Sequence, residues 1–192
     1  MSEHDELAWR GRPLEEDYFR KKDLELIEKI RQSAAAERAR TALGQKTGIN
    51  DPQLVHELHE LGFTPDTVAL LPAMPIIEVA WAEGGVTKVE HELIVSLARS
   101  RGIEAGGAAD QQLIQWLASR PSETVFSGAR RLIRAILDLE TPETRDVKSG
   151  NLAEYCEQIA AASGGVFGFG SVSAAERKTL ASIAADLKAR HA

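Results

Sequence analysis

The chain has 192 residues and a hydrophobic fraction of 43%, which is enough apolar material for one folded domain, with or without an appendage. Its 29 acidic and 23 basic side chains give a net charge of −6 at pH 7, which argues against a general nucleic-acid binder because such proteins need a basic surface. A single cysteine, Cys156, excludes an intramolecular disulfide, and with a polar first segment unlike a signal peptide it indicates a reducing cytoplasm.

The first predicted element is a long charged helix. Pro13 is predicted to begin it and Gly44 to end it, because proline favours the first turn of a helix and glycine its end. Phe19, Leu26 and Ile30 recur at helical spacing and form one narrow apolar stripe on an otherwise charged helix. Such a helix is hard to bury within one domain, so we expect an arm that packs on the body, on another copy of the chain or on a partner protein.

A second, shorter helix follows, which Asn50 or Asp51 is predicted to cap and Gly62 to end. Beyond it, apolar residues recur at spacings of three and four, and proline and glycine residues separate the predicted helices. No segment shows convincing alternation of apolar and polar residues, which a strand would need. The sequence therefore predicts an all-α protein with two parts. These are an N-terminal arm with a small helical segment at residues 1–63, and a helical domain at residues 64–192.

One motif recurs when the chain is shifted along itself by 86 residues. Gly84–Glu90 aligns with Gly170–Glu176, and both contain Gly-x-Val-[Ser/Thr]-x-x-Glu followed by an amphipathic helix. Thr87 and Ser173, each with the glutamate three residues later, have the pattern of a capping box, in which each side chain bonds the other residue's backbone N–H. An internal repeat of helical hairpins predicts two related halves that pack against each other.

The first copy of this motif carries one more acidic residue. Glu83 lies seven residues before Glu90, across two glycines, and carboxylates on a tight turn suit a hard cation such as Ca²⁺ or Mg²⁺. The equivalent position in the second copy is Phe169, which offers no ligand atom. Two interpretations stay open: helix capping alone, or capping together with a divalent cation at Glu83 and Glu90.

The residues from Ile76 to Glu90 resemble the first repeat of the tellurite-resistance TerB-like proteins, and the similarity extends over about residues 70–187. This resemblance implies a helical bundle with two related halves. It also implies a stress-linked or metal-linked role without enzymatic activity, sometimes close to a membrane. The family's acidic residues correspond to Glu83 and Glu90, although the family usually has aspartate at the first of these positions.

A glycine-rich loop with Phe167 and Phe169 precedes the second copy of the motif. The loop lacks the Lys-Ser/Thr pair and the glycine spacing of nucleotide-binding loops. Its two phenylalanines are predicted either to plug the core or to contact a protein partner or a membrane surface.

No catalytic constellation stands out in this sequence, so we expect a non-enzymatic protein. The five histidines form neither the H-E-x-x-H zinc pattern nor a recognisable Ser-His-Asp arrangement. Cys156 lies in a helical context and is predicted to be a buried, inert thiol. Arg130, Arg131 and Arg134 are interpreted as part of a solvated helix face.

Overall fold

The computed structural model describes the backbone of residues 3–163 and 172–188 and the side chains of residues 18–162 and 172–186. Every regular element in these ranges is helical and no strand occurs in them, so the predicted all-α class is confirmed. No helix in the described ranges is long and apolar enough to cross a membrane. The elements are α1 (Glu3–Thr47), α2 (Pro52–Glu60), a 3-10 helix (Val68–Ala73), α3 (Met74–Ala80), α4 (Lys88–Ser100), α5 (Ala108–Ala118), α6 (Glu123–Asp138), α7 (Pro142–Ser163) and α8 (Ala174–Lys188).

Helix α1 is longer at both ends than the sequence predicts. It begins at Glu3, upstream of Pro13, and it continues through Gly44 to Thr47. The residue that ends it is Gly48, whose φ of 71° lies in the left-handed region and whose N–H donates to the carbonyl oxygen of Gly44 at 2.9 Å. Both predicted ends of this helix are therefore wrong. The helix passes through Pro13 instead of beginning there, and the left-handed glycine that ends it lies one turn beyond Gly44.

Internal contacts divide the chain into two compact units, residues 1–41 and residues 42–192. This division lies upstream of the boundary predicted between residues 63 and 64. The difference arises from α2, because Val55 and Leu58 are buried in the hydrophobic core of the second unit. Helix α2 therefore belongs to the larger unit rather than to a separate N-terminal part.

Helix α3 lies at the centre of the second unit. Six of its seven residues are buried, and it contacts α4, α6, α7, α8 and the 3-10 helix. A helix that is apolar on nearly every side is expected in a core rather than at a surface. Each of the eight α-helices contributes at least one of the largest fully buried side chains, which are Phe63, Phe126, Leu43, Leu58, Leu70, Met74, Ile77, Ile94, Leu113, Leu132, Ile159 and Ile183.

Local capping signals set most helix limits in this unit. Asp51 caps α2 by accepting the N–H of Gln53 at 2.8 Å, as one of the two predicted alternatives. Gly62 and Gly102 have φ values of 85° and 87°, so the chain turns where only glycine does so without strain.

The two copies of the repeated motif begin α4 and α8. Helix α3 contacts α4, and α7 contacts α8. Helix α7 also contacts both α3 and α4, so the two helix pairs that carry the motif meet in the core.

Candidate functional site

The predicted contact residues of α1 are exposed. Phe19 is 61% exposed, Leu26 is 57% exposed and Ile30 is 60% exposed. Apolar side chains gathered in this way mark interaction surfaces, whereas single ones are ordinary. The other two predicted contact residues, Phe167 and Phe169, lie outside the described residues, and their role stays a prediction.

Exposed apolar side chains are concentrated in one short stretch of α1. Among the described residues, six of the ten exposed large hydrophobic side chains lie between residues 18 and 30. Helical spacing puts Phe19, Leu26 and Ile30 on one side, and these three residues are the arm face. Leu24 is equally apolar and 61% exposed, but it lies about 200° around the helix from Leu26. Leu24 therefore serves as the control residue in a test of the arm face.

Both copies of the repeated motif form the predicted capping boxes. The N–H of Thr87 donates to the Glu90 carboxylate at 2.7 Å, and the N–H of Glu90 donates to the Thr87 hydroxyl at 3.3 Å. Ser173 and Glu176 make the same two bonds at 2.7 and 3.1 Å. The capping interpretation is therefore confirmed at both sites.

These capping glutamates are also buried, which the sequence did not indicate. Glu90 is 2% exposed and Glu176 is 1% exposed. Burial raises the pKa of the Glu90 carboxyl above its usual range, while hydrogen bonds from Thr87 oppose the rise and the neighbouring Glu176 and Glu83 carboxylates add to it. Acids from both copies of the repeat therefore lie close enough to interact.

The cation site suggested for Glu83 and Glu90 stays a prediction. Glu83 is exposed, and the Oε2 atom of Glu90 already accepts the N–H of Thr87. Within the described part of the chain, no group of three or more His, Cys, Asp or Glu side chains is arranged to hold a metal ion. Such an ion would need oxygen ligands beyond this pair, because Ca²⁺ and Mg²⁺ take six or more in total.

Sequence reasoning missed an ion-pair network centred on Arg130. The Nε of Arg130 donates to Asp186 at 2.8 Å, and its Nη1 pairs with the Glu78 carboxylate. Arg130 and Glu78 have side chains that are only 13% and 11% exposed, so the interpretation of Arg130 as part of a solvated face is wrong. The available signal was Glu78 itself, since a lone acid inside an apolar run needs a cationic partner when it is buried.

Cys156 is a buried thiol, as predicted. It is completely buried, and burial raises its pKa to about 12, with the nearby Glu78 and Glu157 carboxylates adding to the rise. The thiolate is the reactive form of cysteine, and so high a pKa keeps the group protonated at neutral pH. Its environment is that of a core residue rather than of a nucleophile.

Comparison with known proteins gives no significant similarity. No protein-family model matches the chain, and no curated protein or solved structure matches it significantly. The resemblance of Ile76–Glu90 to TerB-like proteins therefore stays an expectation, and the arm face and the buried acids are the features on which a function can rest.

Proposed function

We propose that this chain is a non-enzymatic helical protein that works by association, and that a second copy of the chain docks on the arm face. The observation that carries the proposal is the exposure of Phe19, Leu26 and Ile30, each by more than half. Removal of apolar surface from water drives association, and a row of large apolar side chains along a helix favours pairing with another such row.

The distribution of charge along α1 favours a second copy as the occupant. Residues 3–17 carry six acidic and two basic side chains, whereas residues 18–41 carry seven basic and four acidic ones. In an antiparallel pair of α1 helices, the acidic part of each helix lies beside the basic part of the other, whereas a parallel pair brings like charges together. The proposed assembly is therefore an antiparallel homodimer.

The biological setting proposed for this assembly is a stress response in the cytoplasm. It rests on the resemblance of Ile76–Glu90 to TerB-like proteins and on the sequence composition, and the non-enzymatic character is part of the same expectation. A divalent cation at Glu83 and Glu90 is a separate part of the proposal, because neither residue belongs to the arm face.

Light scattering of the full-length chain tests the association. We expect the wild-type protein to have twice its chain mass of 20.9 kDa, with monomer appearing on dilution. The double variant Leu26→Gln/Ile30→Gln should be monomeric, because glutamine keeps a high helix propensity but removes the apolar contact. The matched control Leu24→Gln removes an equally exposed leucine from the other side of α1 and should keep the dimer mass.

Two results would overturn this proposal. One is a wild-type chain that stays at 20.9 kDa at every concentration. The other is a Leu24→Gln chain that dissociates as readily as the double variant, which would show that the arm face has no special role. Circular dichroism of the double variant distinguishes loss of pairing from loss of the helix itself.

A further inference from the structure

The second unit contains an apolar cavity bounded by the 3-10 helix, α4, α6 and α7. Its volume is about 470 Å³, within the range of small-molecule sites. Fourteen of its eighteen lining residues are apolar, and Ile94, Ala98 and Leu137 are among the buried residues at its base. A cavity of this size and lining suits an apolar ligand rather than a sugar or a nucleotide.

The polar residues that line the cavity are cationic or neutral. They are Arg101, Lys148, Asn151 and Tyr155, and no acidic residue is among them. Arg101 is exposed, donates to the Tyr155 hydroxyl at 2.7 Å and has its guanidinium 5.0 Å from the centre of the Tyr155 ring. Lys148 pairs with Glu140 at 2.5 Å, whereas no carboxylate of the described residues forms an ion pair with Arg101. The cavity therefore presents one uncompensated cation beside an apolar interior.

A second space adjoins the cavity beyond Tyr155. A smaller cavity of about 190 Å³ shares Leu97 and Tyr155 with the first one and extends between α4 and α7 to Gln158. Two adjoining spaces along one helix pair suit an elongated ligand better than a compact one.

We propose that this cavity binds a single-chain fatty acid, with the carboxylate at Arg101 and the alkyl chain over the apolar base. The planar guanidinium pairs with a carboxylate through two parallel hydrogen bonds, and the alkyl chain gains affinity with each methylene that leaves water. A free fatty acid fits better than an anionic membrane surface, because membrane surfaces are recognised by clusters of several exposed lysines and arginines.

Calorimetric titration of the full-length protein with dodecanoate, below its micelle concentration, tests the proposal. We expect saturable binding of one dodecanoate per chain, and binding of dodecan-1-ol about tenfold weaker because it lacks the charged partner for Arg101. Arg101→Gln should weaken dodecanoate binding about tenfold and leave dodecan-1-ol binding unchanged. The control Lys88→Gln removes another cation of α4, whose side chain is 90% exposed and does not line the cavity, and should change neither affinity.

Variants that fill the cavity test the position of the alkyl chain. Ala98→Leu occupies the buried base and should abolish binding of both dodecanoate and dodecan-1-ol. Because this change can also strain the core, Ala69→Trp provides a second variant at an exposed lining position, with the same expected loss.

The proposal is overturned if dodecanoate shows no saturable binding, or if Arg101→Gln and Lys88→Gln weaken it equally. It is also overturned if both cavity-filling variants bind normally, or if the chain binds phosphatidylglycerol vesicles but not free dodecanoate. The Leu26→Gln/Ile30→Gln chain should bind dodecanoate like the wild type, so the failure of this proposal and the failure of self-association can be told apart.

Discussion

At the scale of the residue, Glu90 combines a capping role with burial, and these have opposite effects on its charge. The N–H of Thr87 donates to its carboxylate, which favours the charged form. Burial favours the neutral form, and the nearby Glu176 and Glu83 carboxylates act in the same direction. Because the pKa of Glu90 is raised overall, burial outweighs the cap.

Replacement of Glu90 by glutamine should therefore stabilise the protein more at pH 7.5 than at pH 4. The unfolded chain loses its Glu90 proton near the ordinary pKa of 4.5, before the folded chain does, so this group's contribution to stability falls as the pH rises. Glutamine does not titrate and still accepts the N–H of Thr87, as glutamines in capping boxes do. Thermal unfolding at the two pH values measures the effect, with Glu92→Gln as an exposed control on the same helix. An equal shift in melting temperature at both pH values would contradict the assignment.

The features that could be predicted at this scale are the local ones. Thr87 and Glu90 are three residues apart, so a pattern in the sequence was enough to identify their reciprocal bonds. The pairing of Arg130 with Glu78 spans 52 residues, and nothing local to either residue says which partner it meets. The proximity of Glu176 to Glu90 has the same origin, because it depends on how the two halves pack.

At the scale of the element, glycines end helices only where the backbone is left-handed. Gly62, which the sequence identified correctly, has a φ of 85° and follows the end of α2, and Gly102 has a φ of 87° and follows the end of α4. Gly44 and Gly150 lie inside α1 and α7 with helical backbone, and neither ends its helix. A glycine in the sequence does not reveal whether its backbone is left-handed or helical. For this reason the presence of α1 could be predicted, but the residue at which it ends could not.

Alanine at two of these glycines should have opposite effects on the free energy of unfolding. No atom lies within 4 Å of a Cβ at Gly150, so Gly150→Ala should stabilise α7 by about 0.5–1 kcal/mol through helix propensity. Gly102→Ala meets equally open space but must hold a left-handed backbone, which should destabilise by about 1–2 kcal/mol. Urea unfolding compares the two variants. Shifts of the same sign would mean that backbone conformation is not the deciding factor.

At the scale of the whole molecule, the Arg130 network connects three helices of the second unit. Arg130 lies on α6, Glu78 on the central α3 and Asp186 on α8, so one guanidinium joins the core helix to the last helix of the bundle. Burial raises the pKa of Glu78, and the Arg130 side chain opposes that rise. The all-α class followed from the periodicity of the sequence, but a tie between distant helices depends on the tertiary arrangement and could not be predicted from it.

Loss of this guanidinium should therefore destabilise the molecule mainly by leaving Glu78 buried without a cation. Arg130→Met keeps an unbranched apolar stem, and we expect a loss of about 3–5 kcal/mol in the free energy of unfolding at pH 7.5. The loss should be smaller at pH 5, because the variant raises the pKa of Glu78 further and its acid can then be protonated in the folded state. Urea unfolding at both pH values measures this difference.

A second substitution isolates the buried charge as the cause. Glu78→Gln/Arg130→Met leaves no uncompensated charge in the core and should recover most of the lost stability, while Asp186, whose side chain is 40% exposed, stays hydrated. Arg131→Met is the matched control, since that arginine is 53% exposed and pairs with Glu57 near the surface, and should cost less than about 1 kcal/mol. If the double variant is as unstable as Arg130→Met alone, the lost stability comes from packing around the arginine stem, and the ion pair does not hold the three helices together.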